Sequence, residues 1–207
     1  MTWLKGGPFY ELSLLFKNPI DKIGFIENIL EILRNSKLNF QIFESDKEFE
    51  DKLKNFIEGY KDDTVTIRIL NLNTKIDIVG NRKFKLNVIE LSEELIEVNF
   101  WFYGSLYDAD EWEQKGIKVE DKPYFKRFLI GTINQLNPII ATIAYENSCD
   151  FVFDTEDTYP SSEYVIKDLS IEKIKEKIQS NDSFEYCWIN GKEFGVVENI
   201  EIINRTF

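Results

Sequence analysis

The sequence predicts an α+β fold, with a mixed, largely antiparallel sheet and about four helices, because helix and strand patterns interleave without the regular spacing of βαβ units. Three observations carry that prediction. Alternating apolar residues mark strands around 65–70, 84–88 and 184–188. Helix-start signals stand at Asn18-Pro19, at Ser45 with Glu48, and at Pro123. Asn190-Gly191 lies between two strand patterns and signals a hairpin, hence antiparallel neighbours.

Residues 9–16 read as a strand. Asn18 then offers an N-cap and Pro19 the first helical position. Ile20, Ile23, Ile26, Ile29, Leu30 and Leu33 give the apolar stripe of a helix that stops near Asn35, and residues 39–43 return as a short strand. Ser45 and Glu48 form a capping box. Phe49, Leu53, Phe56, Ile57 and Tyr60 make the inner face of the helix it starts, which Gly59 and Lys61-Asp62-Asp63 end.

Val65, Ile67 and Ile69 alternate with Thr66, Arg68 and Leu70 as a half-buried strand, and residues 76–79 suggest another. Gly80-Asn81 is a turn, after which Phe84, Leu86 and Val88 alternate again. The aromatic density of residues 95–103 predicts a central strand. Residues 104–122 read as a long acidic loop. Pro123 opens a helix that buries Phe125, Phe128, Leu129, Ile133 and Leu136 and stops at Asn137-Pro138.

Residues 139–145 read as a strand and 146–163 as a second acidic loop with one short strand at 151–153. A helix over 170–178 turns Ile171, Ile174 and Ile178 inward, and strands at 184–188 and 194–203 close the chain. The whole reads as one domain over 1–207. Residues 9–43 and 97–145 share the order strand, Pro-started helix, strand, which makes 1–94 and 95–207 candidate pseudo-repeat halves.

Composition narrows the function. A chain of 207 residues with 43% hydrophobic content can bury a sizeable core. Its net charge of −12 gives the wrong long-range field for nucleic acid or anionic lipid, and the right one for a basic protein. There is no histidine, which removes Ser-His-Asp and Cys-His catalysis and His-based zinc sites. No P-loop, GxGxxG or EF-hand pattern occurs. Neither a cofactor nor a metal is expected.

Cys149 and Cys187 stand in no CxxC pattern. The N-terminus lacks the basic and apolar regions of a signal peptide, and the longest apolar run is too short to cross a bilayer. The expectation is a cytoplasmic protein with free thiols, a Cys149–Cys187 disulfide being the alternative.

The two acidic loops are the feature that points to a function. If strands 95–103 and 139–145 run parallel, joined by the helix between them, both loops leave the sheet at the same edge and form one acidic rim. The partner-binding candidates are Asp108, Asp110, Glu111, Trp112 and Glu113 in the first loop, and Asp150, Asp154, Glu156, Asp157 and Tyr159 in the second. Carboxylates there can take the places of substrate phosphates and pair with Lys and Arg of a basic protein, with Trp112 and Tyr159 as anchors. Tyr103, Tyr107, Phe151 and Phe153 add further rings to this rim.

With its Phe100-Trp101-Phe102-Tyr103-Gly104 strand, its Asp108-Ala109-Asp110-Glu111-Trp112-Glu113 segment and its lack of His and metal motifs, the chain resembles bacterial immunity proteins that neutralise polymorphic or contact-dependent toxins. The resemblance implies a small, acidic, non-catalytic α+β protein that occludes a basic toxin. It carries over no individual residue role. The rival readings are a carboxylate- or metal-dependent hydrolase, drawing on the same acidic clusters, and a structural or assembly subunit.

Overall fold

The computed structural model describes Leu4 and residues 9–62, 65–106, 116–155, 160–189 and 198–200. In chain order the strands are β1 (Phe9–Lys17), β2 (Gln41–Ile42), β3 (Tyr60–Asp62), β4 (Val65–Ile67), β5 (Ile69–Asp77), β6 (Asn81–Glu90), β7 (Leu95–Tyr103), β8 (Ile140–Tyr145), β9 (Phe184–Ile189) and β10 (Glu198–Ile200). The α-helices are α1 (Lys22–Asn35), α2 (Asp46–Glu58), α3 (Lys122–Leu136) and α4 (Ile171–Ser180).

Eight strands form one sheet in the order β10-β9-β8-β1-β7-β6-β5-β2, and β3 with β4 forms a separate ribbon. Every ladder is antiparallel. The fold is therefore α+β with an antiparallel sheet and four α-helices among the described residues. None of these helices is long and apolar enough to cross a membrane.

Side chains alternate across the sheet and supply two cores. Tyr10, Leu12 and Leu14 of β1, Phe84, Leu86 and Val88 of β6, and Val98, Phe100 and Phe102 of β7 meet Ile26, Ile29, Phe56, Phe125 and Leu129 of α1, α2 and α3. Rings interlock there. Phe84 stacks on Phe102 at 4.8 Å between centroids, and Phe100 meets Phe128 edge-on at 5.5 Å. Such pairs add about 0.5–1.5 kcal/mol each beyond area burial. On the other face Leu15, Ile89, Leu95, Ile140 and Cys187 pack under Ile174 and Ile178 of α4 and under Val152, Phe153 and Tyr164.

Local signals placed most elements. Ser45 accepts from the Glu48 amide while Glu48 Oε2 accepts from the Ser45 amide at 2.9 Å, so the capping box of α2 is closed. That amide bond holds the Glu48 carboxyl below its ordinary pKa. Replacing Ser45 with Ala is expected to cost about 1 kcal/mol, read as a fall of about 2–4 °C in Tm for a chain of this size. Pro123 lies in the first turn of α3, and Asn137 ends that helix in the left-handed region at φ +53°.

Other expectations are corrected. The first helix starts at Lys22, capped by Asp21 Oδ1 on the Gly24 amide at 2.9 Å. Asn18 instead bonds Ser92 O through its side chain and Glu94 O through its amide, closing the end of the β1–β7 ladder. Ile20 and Ile23 are consequently exposed.

The alternation that began at Val65 is interrupted at Arg68, where the chain leaves the β3–β4 ribbon and joins the large sheet. Leu70, Leu72 and Ile76 are buried, and Val65 and Ile69 are exposed. Tyr60 belongs to exposed β3, past Gly59 at φ +75°. The short strand expected at 151–153 is a 3₁₀ turn over Cys149–Val152. The Asn190-Gly191 turn lies outside the described residues, although β9 and β10 on either side pair antiparallel.

Candidate functional site

β7 and β8 each pair antiparallel with β1, which stands between them. They therefore run parallel to one another as next-nearest strands. Tyr103 at the end of β7 is opposite Phe9, and Tyr145 at the end of β8 is opposite Tyr10. The segments that follow both strands leave the sheet at this one edge. Asp108, Asp110, Glu111, Trp112 and Glu113 of the first segment lie outside the described residues, as do Glu156, Asp157 and Tyr159 of the second and the ring of Tyr107.

The described part of the second segment is built from the sheet outward. Glu146, exposed and at φ +49°, turns the chain and donates its amide to Phe9 O at 3.1 Å. The 3₁₀ turn then folds back over the second sheet face. The Cys149 amide donates to Ser13 Oγ at 3.0 Å and the Asp150 amide to Glu97 Oε1 at 3.1 Å. Phe151 packs on Phe184, and Phe153 meets Tyr164 edge-on, so both rings join the second core while also lining the cleft at this edge.

Glu146, Asp150 and Asp154 line one open cleft of about 730 Å³, with Ser148, Tyr164 and Lys177 among its other walls. The three carboxylates differ in state. Asp154 is more than half exposed and pairs with Lys173 and Lys177 of α4, which hold its carboxyl below the ordinary range. Asp150 accepts from Ser148, yet burial pushes its pKa up.

Beneath this cleft lies a carboxyl cluster that sequence reasoning missed. Glu97 is 1% exposed. Ser13 Oγ lies 2.8 Å from its Oε1, Asn99 Nδ2 donates to Oε2 at 3.2 Å, and the Asp150 amide completes the set. Burial first, then the charges of Asp150 and Glu11, push Glu97 well above the usual carboxylate range. Glu11, also buried, accepts from Trp101 Nε1 at 2.7 Å. Burial raises it to about 8 against the lowering effect of that indole bond.

The available signal was polar residues two apart in otherwise apolar strands, Glu11 and Ser13 in β1 and Glu97 and Asn99 in β7, which share one face. Chemically the cluster can hold protons near neutral pH and clamp the 3₁₀ turn to the sheet. Its two glutamates are closed to solvent, so substrate has no path to them as arranged.

Cys149 and Cys187 are both free thiols inside the second core. Burial pushes Cys187 up to about 12, and burial followed by the Glu97 charge raises Cys149. Neither is a poised nucleophile. Among the described residues no three His, Cys, Asp or Glu side chains converge as a metal site would require. No family model, curated protein or solved structure matches the chain.

Proposed function

We propose that the protein is a non-catalytic acidic binder that blocks a basic protein, and that it acts as an immunity protein neutralising a bacterial toxin. The observation that carries this reading is the parallel run of β7 and β8 on either side of β1, which releases two acidic segments at one sheet edge. The open cleft with Glu146, Asp150 and Asp154 at that edge supports it, as does the net charge of −12. A basic nuclease, whose Lys and Arg side chains hold phosphate, has the complementary surface.

Affinity for the product of the adjacent gene tests the proposal. Reversing Asp108, Asp110 and Glu146 to Lys together is expected to weaken binding about tenfold or more and to flatten its salt dependence. Asp154 is left alone because its reversal would also break two pairs to α4. Unchanged affinity and unchanged salt dependence would refute the electrostatic mechanism.

A carboxylate-based hydrolase is the second reading, favoured by the raised pKa values of Glu11 and Glu97. It requires the 3₁₀ turn to lift and admit a substrate to Glu97.

A further inference from the structure

The second face of the sheet is covered over β1, β8, β9 and most of β7 and opens toward β5, around Lys85 of β6 and Trp101 of β7. A pocket of about 390 Å³ lies there, rimmed by Asn71 and Asn73 of β5, Lys85 of β6, Trp101 of β7 and Lys52 of α2. Ile69 and Ile89 add an apolar wall. The volume falls within the usual range for small-molecule sites, about 300–1,000 Å³.

The strand register places Asn87 beneath this ring, although its side chain does not itself line the pocket. Asn87 is opposite Asn71 on one side and Asn99 on the other, and Lys85 and Ile89 are its same-face neighbours along β6. It is fully buried, and neither its Oδ1 nor its Nδ2 has a hydrogen-bond partner. Asn99, by contrast, bonds Ser13 and Glu97. A buried carboxamide with both ends unmatched is costly and calls for a partner.

The rim is pre-set. Glu44 accepts from Lys52 at 2.6 Å and from Asn73 Nδ2 at 3.2 Å, holding both side chains. Lys52 also donates to Asn71 O, which leaves the third of its three donors. The indole of Trp101 is fixed by its bond to Glu11 and by Phe9 stacked 5.2 Å away. One row further along, Lys75 stands directly opposite Lys83, so ammonium groups gather on this face. Their spread over two strands and a helix hides the cluster in the sequence.

An indole face, a donor beside an acceptor on one carboxamide, and ammonium groups at the rim complement a flat heterocycle bearing an anion. We infer that this pocket binds a nucleoside monophosphate, with the base against Trp101 and its edge on Asn87, and the phosphate between Lys85 and Lys52. Contact with Asn87 requires the facing pair Lys85 and Trp101, both half-buried, to part on binding. The net charge of −12 opposes a long polyanion, which favours a single nucleotide over a nucleic-acid strand. The inference stands apart from the partner reading and uses different residues.

Isothermal titration of the full chain with AMP and with UMP tests it, with adenosine and an oligothymidylate as comparison ligands. The expected result is saturable one-to-one binding of a monophosphate. Asn87→Leu should weaken it about tenfold or more. Lys85→Gln, on the half-buried rim, should bring AMP down to the level of adenosine and keeps the test available should Asn87→Leu fail to fold. No saturable binding of either monophosphate up to millimolar concentration would overturn the inference. So would binding indifferent to both substitutions, or tighter binding of the oligothymidylate.

Discussion

Raising the pH from about 5 to about 9 is expected to destabilise this protein, the reverse of the usual carboxylate effect. In the folded chain Glu11 keeps its proton up to about 8, against an ordinary value of 4.5. Between those two values the folded state binds more protons than the unfolded state, so stability falls as pH rises and the loss is complete above the folded value. Glu97 and Asp150, raised by burial, act in the same direction. Asp154 acts in the opposite direction in acid, since its lysine pairs are lost once its carboxyl is protonated.

A tenfold change in proton affinity is about 1.4 kcal/mol, so Glu11 alone contributes on the order of a few kcal/mol. Thermal denaturation across this range should show Tm falling by several degrees, at about 2–4 °C per kcal/mol. Glu11→Gln should flatten the profile and exceed the wild type at high pH, while the indole fluorescence of Trp101 loses its titration near 8. A Tm that holds level or rises with pH would mean Glu11 is ionised inside the fold.

Asp121→Ala is expected to be the most damaging single polar substitution. Arg82 Nη2 lies 3.0 Å from Asp121 Oδ2, its Nη1 donates to Gly116 O at 2.7 Å, and both side chains are under a tenth exposed. Asp121 Oδ2 also accepts from the Lys118 amide at 3.1 Å, so it ties the start of α3 to the start of β6. Burial already lowers the Arg82 pKa more than Asp121 raises it.

Removing the carboxylate leaves a buried guanidinium without this counterion, at a cost of about 3–5 kcal/mol in urea denaturation. Replacing both, Arg82→Met with Asp121→Leu, should recover most of the loss, because well-packed apolar residues often match a buried pair. Additive effects of the two single changes would show that the pair is not coupled.

What the sequence revealed was local chemistry. The Ser45–Glu48 box, Pro123, Gly80 and the aromatic run of β7 each act within a few residues, and each predicted element formed. The break at Arg68 was hidden because a β-branched alternation continues through it while the chain changes sheets. The antiparallel character of the sheet could be read, but the insertion of β1 between β7 and β8 could not, since strand order depends on pairings about 85 and 130 residues apart.

The site divides the same way. Acidic segments were visible as runs of charge, whereas the pairing of Asp154 with α4 and the clamp from Glu97 to the Asp150 amide need the tertiary fold. The burial of Glu11 and Glu97 depends on segments distant in the chain, the 3₁₀ turn reaching Glu97 through the Asp150 amide 53 residues on.

The position of β1 bears on how the molecule is made. It is made before the other strands of the sheet, yet both of its flanks must wait for chain synthesised much later. Until then it is an apolar ribbon with two open edges, the kind of segment that chaperones shield and that aggregates when they do not. The centre of the sheet thus cannot close until β8 has been made, so pairings distant in the chain, more than any early local nucleus, set when the native state can appear.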